Sequence, residues 1–137
     1  MRVLLAVANG SVRTLLSSYL RENGHEFEIV SDGLGCITSL CASHFNAVIL
    51  EQGILWGGSD GVMSRMKEIA VLRAIPVILL SDAGFSFNLA NLLRMEAFVK
   101  TPLKAKDLVR IGNILEGLSS TIDQGPGNQV IEQGAMR

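Results

Sequence analysis

Short apolar runs of four to six residues alternate along this chain with longer segments whose apolar residues recur every three or four positions. A run that is apolar at every position suits a strand buried on both faces, whereas the three-to-four period suits a helix with one covered side. Val3–Ala8 is the first such run, stopped by Asn9-Gly10. Behind Ser11, residues Val12, Leu15, Leu16, Tyr19 and Leu20 outline a helix that ends at Asn23-Gly24, a C-cap pair. Phe27–Val30 is a second strand, and Ser31-Asp32-Gly33 can start a helix with Ile37, Leu40 and Cys41 inward. Ala47–Leu50 is a third strand. A glycine-rich loop, Glu51–Asp60, carries Trp56 and leads into a helix over about Gly61–Arg73 with Val62, Met63, Met66, Ile69 and Ala70 inward. Val77–Leu80 follows Pro76 as the fourth strand. Leu89, Leu92 and Leu93 suggest a fourth helix ending near Met95, Ala97–Lys100 a fifth strand, and Leu108, Ile111, Leu115 and Leu118 a last helix.

Strict alternation of strand and helix implies parallel pairing through right-handed crossovers, with helices on both faces of one sheet. The expected fold is α/β: a flavodoxin-like (βα)5 three-layer sandwich with sheet order 2-1-3-4-5. At 137 residues, with 48% hydrophobic and 18% charged, the chain has core enough for one domain and not for two. That domain is expected over 1–118. From Ser119 the periodicity dissolves into Thr, Gln, Asn and Gly-Pro-Gly, so 119–137 reads as a tail or the start of a linker.

The 12 basic and 13 acidic residues give a net charge of −1, which supplies no general pull toward nucleic acid or anionic lipid. No run approaches the roughly 20 apolar residues of a membrane span, and the N-terminus enters a strand without a signal-peptide pattern; the cytoplasm is the expected compartment. Cys36 and Cys41 lie about 140° apart on a helix and read as buried thiols, not a disulfide. His25 and His44 stand singly, without partners at metal-ligand spacing, and read as surface residues. Gly33-Leu34-Gly35 lacks the third glycine and the Lys of a phosphate loop.

In a sheet of this order, chemistry belongs beyond the carboxyl ends of the strands, where strand order reverses. Those ends offer Val7–Gly10, Glu51–Gly53, Ser81-Asp82 and Lys100–Pro102, a set poor in reactive groups.

At this point the chain resembles the receiver domains of bacterial two-component response regulators. The likeness covers about residues 1–118 and rests on MRVLLAVANGSVRTLLSSYL with Gly24 closing the first helix, AVILE at the third strand, Asp60-Gly61, IPVILLS, and AFVKTPLKAKDL around the fifth strand. The resemblance implies an Asp after the third strand that takes a phosphoryl group from a histidine kinase. It implies Mg²⁺ held by that Asp and two acidic residues after the first strand, and a hydroxyl and a Lys holding the phosphoryl oxygens.

Carried over position by position, the likeness puts Val7 and Ala8 where the acidic pair should be, so that pair is lost. Glu51 is the phosphoacceptor equivalent, one methylene too long, and a misplacement near 1 Å can cost on the order of a hundredfold in rate. Ser81 keeps the hydroxyl, and Phe98 matches the aromatic switch whose ring turns inward as the hydroxyl moves toward the phosphoryl group. Thr101 falls at the lysine position and Lys100 one residue earlier, on the other side of the strand. Thr101-Pro102 matches a peptide bond that is often cis in the family. The loop after Glu51 is about two residues longer than usual there and lacks its Pro.

The resemblance with these departures implies an atypical receiver acting in phosphorelay signalling as a phosphorylation-independent protein interaction module. It would be no enzyme, would hold no cofactor, and would have lost Mg²⁺. Its partner would be a signalling protein, or itself, through the face of the fourth helix, fifth strand and fifth helix, with Trp56 either a further anchor or packed over the vacated pocket. No nucleic acid or membrane is expected. Glu51 is either a mimic of the phosphorylated Asp reaching toward Ser81 or an inert side chain turned to solvent. The alternative is a phosphoacceptor with a noncanonical acceptor, Glu51, Asp60 or Asp82 working with Lys100. A weaker one is a small-ligand module using the emptied pocket.

Overall fold

A computed structural model describes residues 1–55, 58–82 and 94–123, the side chains of 120–123 excepted. In chain order its elements are β1 (Arg2–Ala6), α1 (Gly10–Glu22), β2 (Glu26–Val30), α2 (Gly33–Ala42), β3 (Ala47–Glu51), α3 (Gly58–Glu68), α4 (Ala70–Arg73), β4 (Val77–Ser81), β5 (Met95–Lys100) and α5 (Ala105–Asp123). The strands form one sheet, order β2-β1-β3-β4-β5, every neighbouring pair parallel. This is the expected flavodoxin-like sandwich.

The all-apolar strands feed two cores because successive side chains point to opposite faces. Val3, Leu5 and Val7 join Ile49, Ile78 and Leu80 under Leu16 and Leu20 of α1 and Ile111 and Leu115 of α5. Leu4 and Ala6 join Val48, Leu50 and Leu79 under Cys36 and Leu40 of α2 and Met63 and Met66 of α3. Asp32 caps α2, its Oδ1 accepting from the Gly35 amide at 2.7 Å. Asn9, not Ser11, caps α1 through the Val12 amide at 3.0 Å.

Several expectations need correction. β1 ends at Ala6, two residues short of the apolar run, because the chain then turns to start α1. Leu15 is exposed, since the buried stripe of α1 runs through Val12, Leu16 and Leu20. The long third helix is two pieces: Ile69, extended at φ −111° and ψ 111°, interrupts it, and the restart buries Leu72 while leaving Ala70 and Val71 exposed. β5 begins at Met95, where a helix end was expected, and α5 runs to Asp123, beyond the last periodic leucine. Trp56, Leu89, Leu92 and Leu93 fall outside the described residues, as does the segment 124–137.

Only one thiol is buried. Cys36 sits inside the second core, where desolvation first and the nearby Asp32 charge second push its pKa up to about 12. Cys41 is exposed, because the inward stripe of the ten-residue α2 is the narrow series Gly33, Cys36, Leu40; both cysteines are free. Iodoacetamide at mildly alkaline pH is therefore expected to alkylate the folded protein once, at Cys41, since the thiolate is the reactive form. Two adducts by intact mass under native conditions would show that Cys36 is accessible.

Candidate functional site

The carboxyl ends of β1, β3, β4 and β5 surround a cleft of about 630 Å³, lined among others by Ala8, Asn9, Glu51, Gln52, Ser81 and Thr101. Its floor is set by strand register. Glu51 lies opposite Leu80, and the Gln52 amide donates to the Leu80 carbonyl at 2.8 Å, carrying the β3–β4 ladder one step past the end of β3.

Toward β1 the wall is main chain. Val7 is completely buried in the first core, and its amide donates to Val30 of β2 at 3.2 Å. Ala8 and Asn9 then turn their amides into the cleft, where both donate to the Glu51 carboxylate: Ala8 N to Oε1 at 2.8 Å and Asn9 N to the same oxygen at 3.2 Å. Hydrogen bonds to an ionised acceptor are the stronger kind, so this contact ties the end of β3 to the start of α1. Glu51 is thus not extended across the cleft, and it stays partly exposed. Its oxygen is held on the β1 side.

Toward β4 the wall is made by Gln52. The Ser81 hydroxyl donates to Gln52 Oε1, and Ser81 itself is 3% exposed. The Gln52 carbonyl accepts from the Ser59 amide at 2.9 Å, and Gly58, at φ +64°, makes the turn that presents that amide. Sequence reasoning passed over Gln52, which reads as an ordinary loop residue. It also passed over Ile54, which is 2% exposed within the second core. Leu55 forms a parallel bridge with Asp32, and its carbonyl accepts from the Gly33 amide at 2.9 Å. Because β1 lies between β3 and β2, that bridge carries the loop across the carboxyl end of β1.

On the β5 side, Lys100 pairs in register with Ser81 but is exposed and lies outside the cleft lining, whereas Thr101 and Pro102 line it. Ala97 and Val99 enter the first core, so Phe98 and Lys100 point to the opposite face. The register irregularity of β5 sits at its start, beside Val77/Ile78, and does not turn Lys100 inward. Phe98 is half-buried, and its carbonyl accepts from Arg110 at 3.2 Å. The Thr101-Pro102 bond is cis, as expected, and the Thr101 amide donates to the Ser81 carbonyl at 3.0 Å.

Of the other carboxylates, Asp82 is exposed at the cleft edge and Asp60 is exposed in the first turn of α3, away from it. His25 and His44 lie outside the cleft; burial holds the His25 imidazole below its usual range. Among the described residues, no three His, Cys, Asp or Glu side chains come together as a metal site, and no helix is long and apolar enough to cross a membrane.

No family model matches the sequence, and no curated protein matches it. Solved structures do. The signal receiver domain of a signal transduction histidine kinase from Syntrophus aciditrophicus superposes with a TM-score of 0.72 at 20% identity, over 96% of this chain and 98% of that one. The receiver domain of a sensor histidine kinase from Pseudomonas aeruginosa, with magnesium coordinated in its active-site cleft, gives 0.71 at 20% identity, over 86% and 97%. The chemotaxis response regulator CheY4 of Vibrio cholerae gives 0.72 at 16% identity, over 85% and 97%. The chain therefore has the fold of the response regulator receiver domains.

Proposed function

We propose that this chain is an atypical receiver of two-component signalling that works as a protein interaction module without being phosphorylated. The observation that carries this reading is the Glu51 carboxylate accepting from the Ala8 and Asn9 amides. A phosphoacceptor needs a free carboxylate oxygen facing a cation and an incoming phosphoryl group. Here one oxygen is bound to main chain on the side where a cation would sit.

The residues present do not fit Mg²⁺. A small hard cation needs several oxygen ligands in octahedral array, yet positions 7 and 8 are Val and Ala, and the neighbouring amides present the positive ends of their dipoles to the same volume. Lys100, outside the cleft lining, is also poorly placed to offset phosphoryl charge. In this reading Glu51, Ser81, Phe98 and Thr101 stand at the family's acceptor, hydroxyl, aromatic and lysine positions. They serve as structure, not chemistry, and the chain is not an enzyme. The partner is another signalling protein or a second copy, met through a face that includes β5 and α5, with Trp56 as a candidate further anchor. Exposed Val109 on α5 gives that face an apolar point. The working unit is the receiver-like domain through the end of α5 at Asp123, in the cytoplasm.

Intact mass after incubation with Mg²⁺ and acetyl phosphate tests this directly. No phosphoryl adduct is expected on the wild type or on Glu51→Asp. An adduct on the wild type would overturn the reading in favour of a noncanonical acceptor, and peptide mapping would then separate Glu51 from Asp60 and Asp82.

A further inference from the structure

We infer that Gln52 is a built-in ligand for the Ser81 hydroxyl, supplying from within the chain the acceptor oxygen that a phosphoryl group would otherwise bring. The inference rests on the receiver reading above and deepens it, since it concerns how the same cleft is held.

Three features position the carboxamide. The Gln52 amide is fixed on the Leu80 carbonyl and its carbonyl on the Ser59 amide, so the backbone on both sides of the side chain is pinned. Ser81 ends β4 one residue past Leu80, which brings its hydroxyl within reach of Gln52 Oε1. Ser81 in turn takes the Thr101 amide on its carbonyl, immediately before the cis bond to Pro102. A continuous set of hydrogen bonds therefore runs from the start of α3 through Gln52 and Ser81 to the end of β5.

Glu51 and Gln52 divide the cleft between them. Consecutive residues at a strand end project in different directions, and here one is bound to the β1 turn and the next to β4. A carboxamide oxygen is a weaker acceptor than a phosphoryl oxygen, but it is attached to the chain and loses no translational freedom on binding. Ser81 is thus drawn in without an added group. Gln52 acts as a positioning residue that holds the β4–β5 end of the molecule in one arrangement.

A double-mutant cycle tests this, with Gln52→Leu, Ser81→Ala and the pair, read by hydrogen exchange at the Thr101 amide in the absence of Mg²⁺ and phosphodonor. Each single variant is expected to lose about threefold to tenfold of protection, the range that one net hydrogen bond gives. The double variant is expected to lose no more than the larger single loss, and Gln52→Glu, which keeps an acceptor oxygen, to stay near wild type. Losses that multiply in the double variant, or an unchanged Thr101 in Gln52→Leu, would overturn the assignment. Such a result leaves an adduct-free mass spectrum standing. Conversely, a phosphoryl adduct on the wild type would sink the phosphorylation-independent reading whatever the cycle shows.

Discussion

Replacing Val7 with Asp is expected to lower the unfolding free energy by about 4 kcal/mol, since the new carboxylate would be a buried charge without a partner. Val7 has no exposed surface and packs in the core that holds Val3, Leu5, Ile49 and Leu80. Its neighbour Ala8 is exposed, so Ala8→Asp should cost about 1 kcal/mol or less, the usual range of a surface change. Urea unfolding of the two variants checks the contrast, read as midpoints at an unchanged slope. Near-equal midpoints would mean that Val7 is not packed as described. The expected difference has a functional edge. An acidic pair after β1 cannot be restored by substitution at these two positions without undoing the core beneath one of them.

Gly58→Ala should cost about 2 to 3 kcal/mol, the sum of a left-handed backbone penalty and a local overpacking term. Gly58 sits at φ +64°, and a Cβ there would lie 2.9 Å from the Gln52 carbonyl oxygen, which is backbone and cannot swing aside. Gly24 is the internal control: at φ +77° it is equally left-handed, but a Cβ there meets nothing within 4 Å. Gly24→Ala should therefore show only the backbone penalty, about 1 kcal/mol. Equal losses at both glycines, measured by chemical denaturation, would remove the close approach at Gln52 from the account. Because the carbonyl that would be struck belongs to Gln52, Gly58→Ala should also weaken Thr101 protection, as is expected of Gln52→Leu.

The sheet and its two cores were legible because they depend on local pattern. Three apolar runs with no polar alternation, Val3–Ala8, Ala47–Leu50 and Val77–Leu80, demand helices on both faces, and Asp32 and Gly24 mark helix boundaries by their chemistry. The break at Ile69 was not legible, because the apolar period continues through Ile69 and Ala70 while the backbone does not. Cys41 shows the same weakness on a smaller scale. On a helix of ten residues the covered stripe is too narrow to include every apolar side chain.

In the cleft, the loss of carboxylates at 7 and 8 could be read directly, and so could the turning away of Lys100, which follows from strand alternation. What Glu51 does instead could not be read. Its partners are main-chain amides, which carry no residue identity, so no pattern announces them. Gln52 and Ile54 were obscured for another reason: each is a single residue in a glycine-rich loop, and its role appears only when the loop folds back on the sheet. The bridge from Leu55 to Asp32 is the long-range contact that fixes that path.

The contact between Glu51 and the amides of Ala8 and Asn9 also concerns time. An acyl phosphate is a perishable bond, so a domain that depends on one carries a clock, and its state reports how recently a donor acted. A carboxylate held by its own backbone does not expire and needs no renewal. On the proposed reading, information passing through such a protein lies in how many copies exist and where they are, which places control with synthesis, degradation and recruitment.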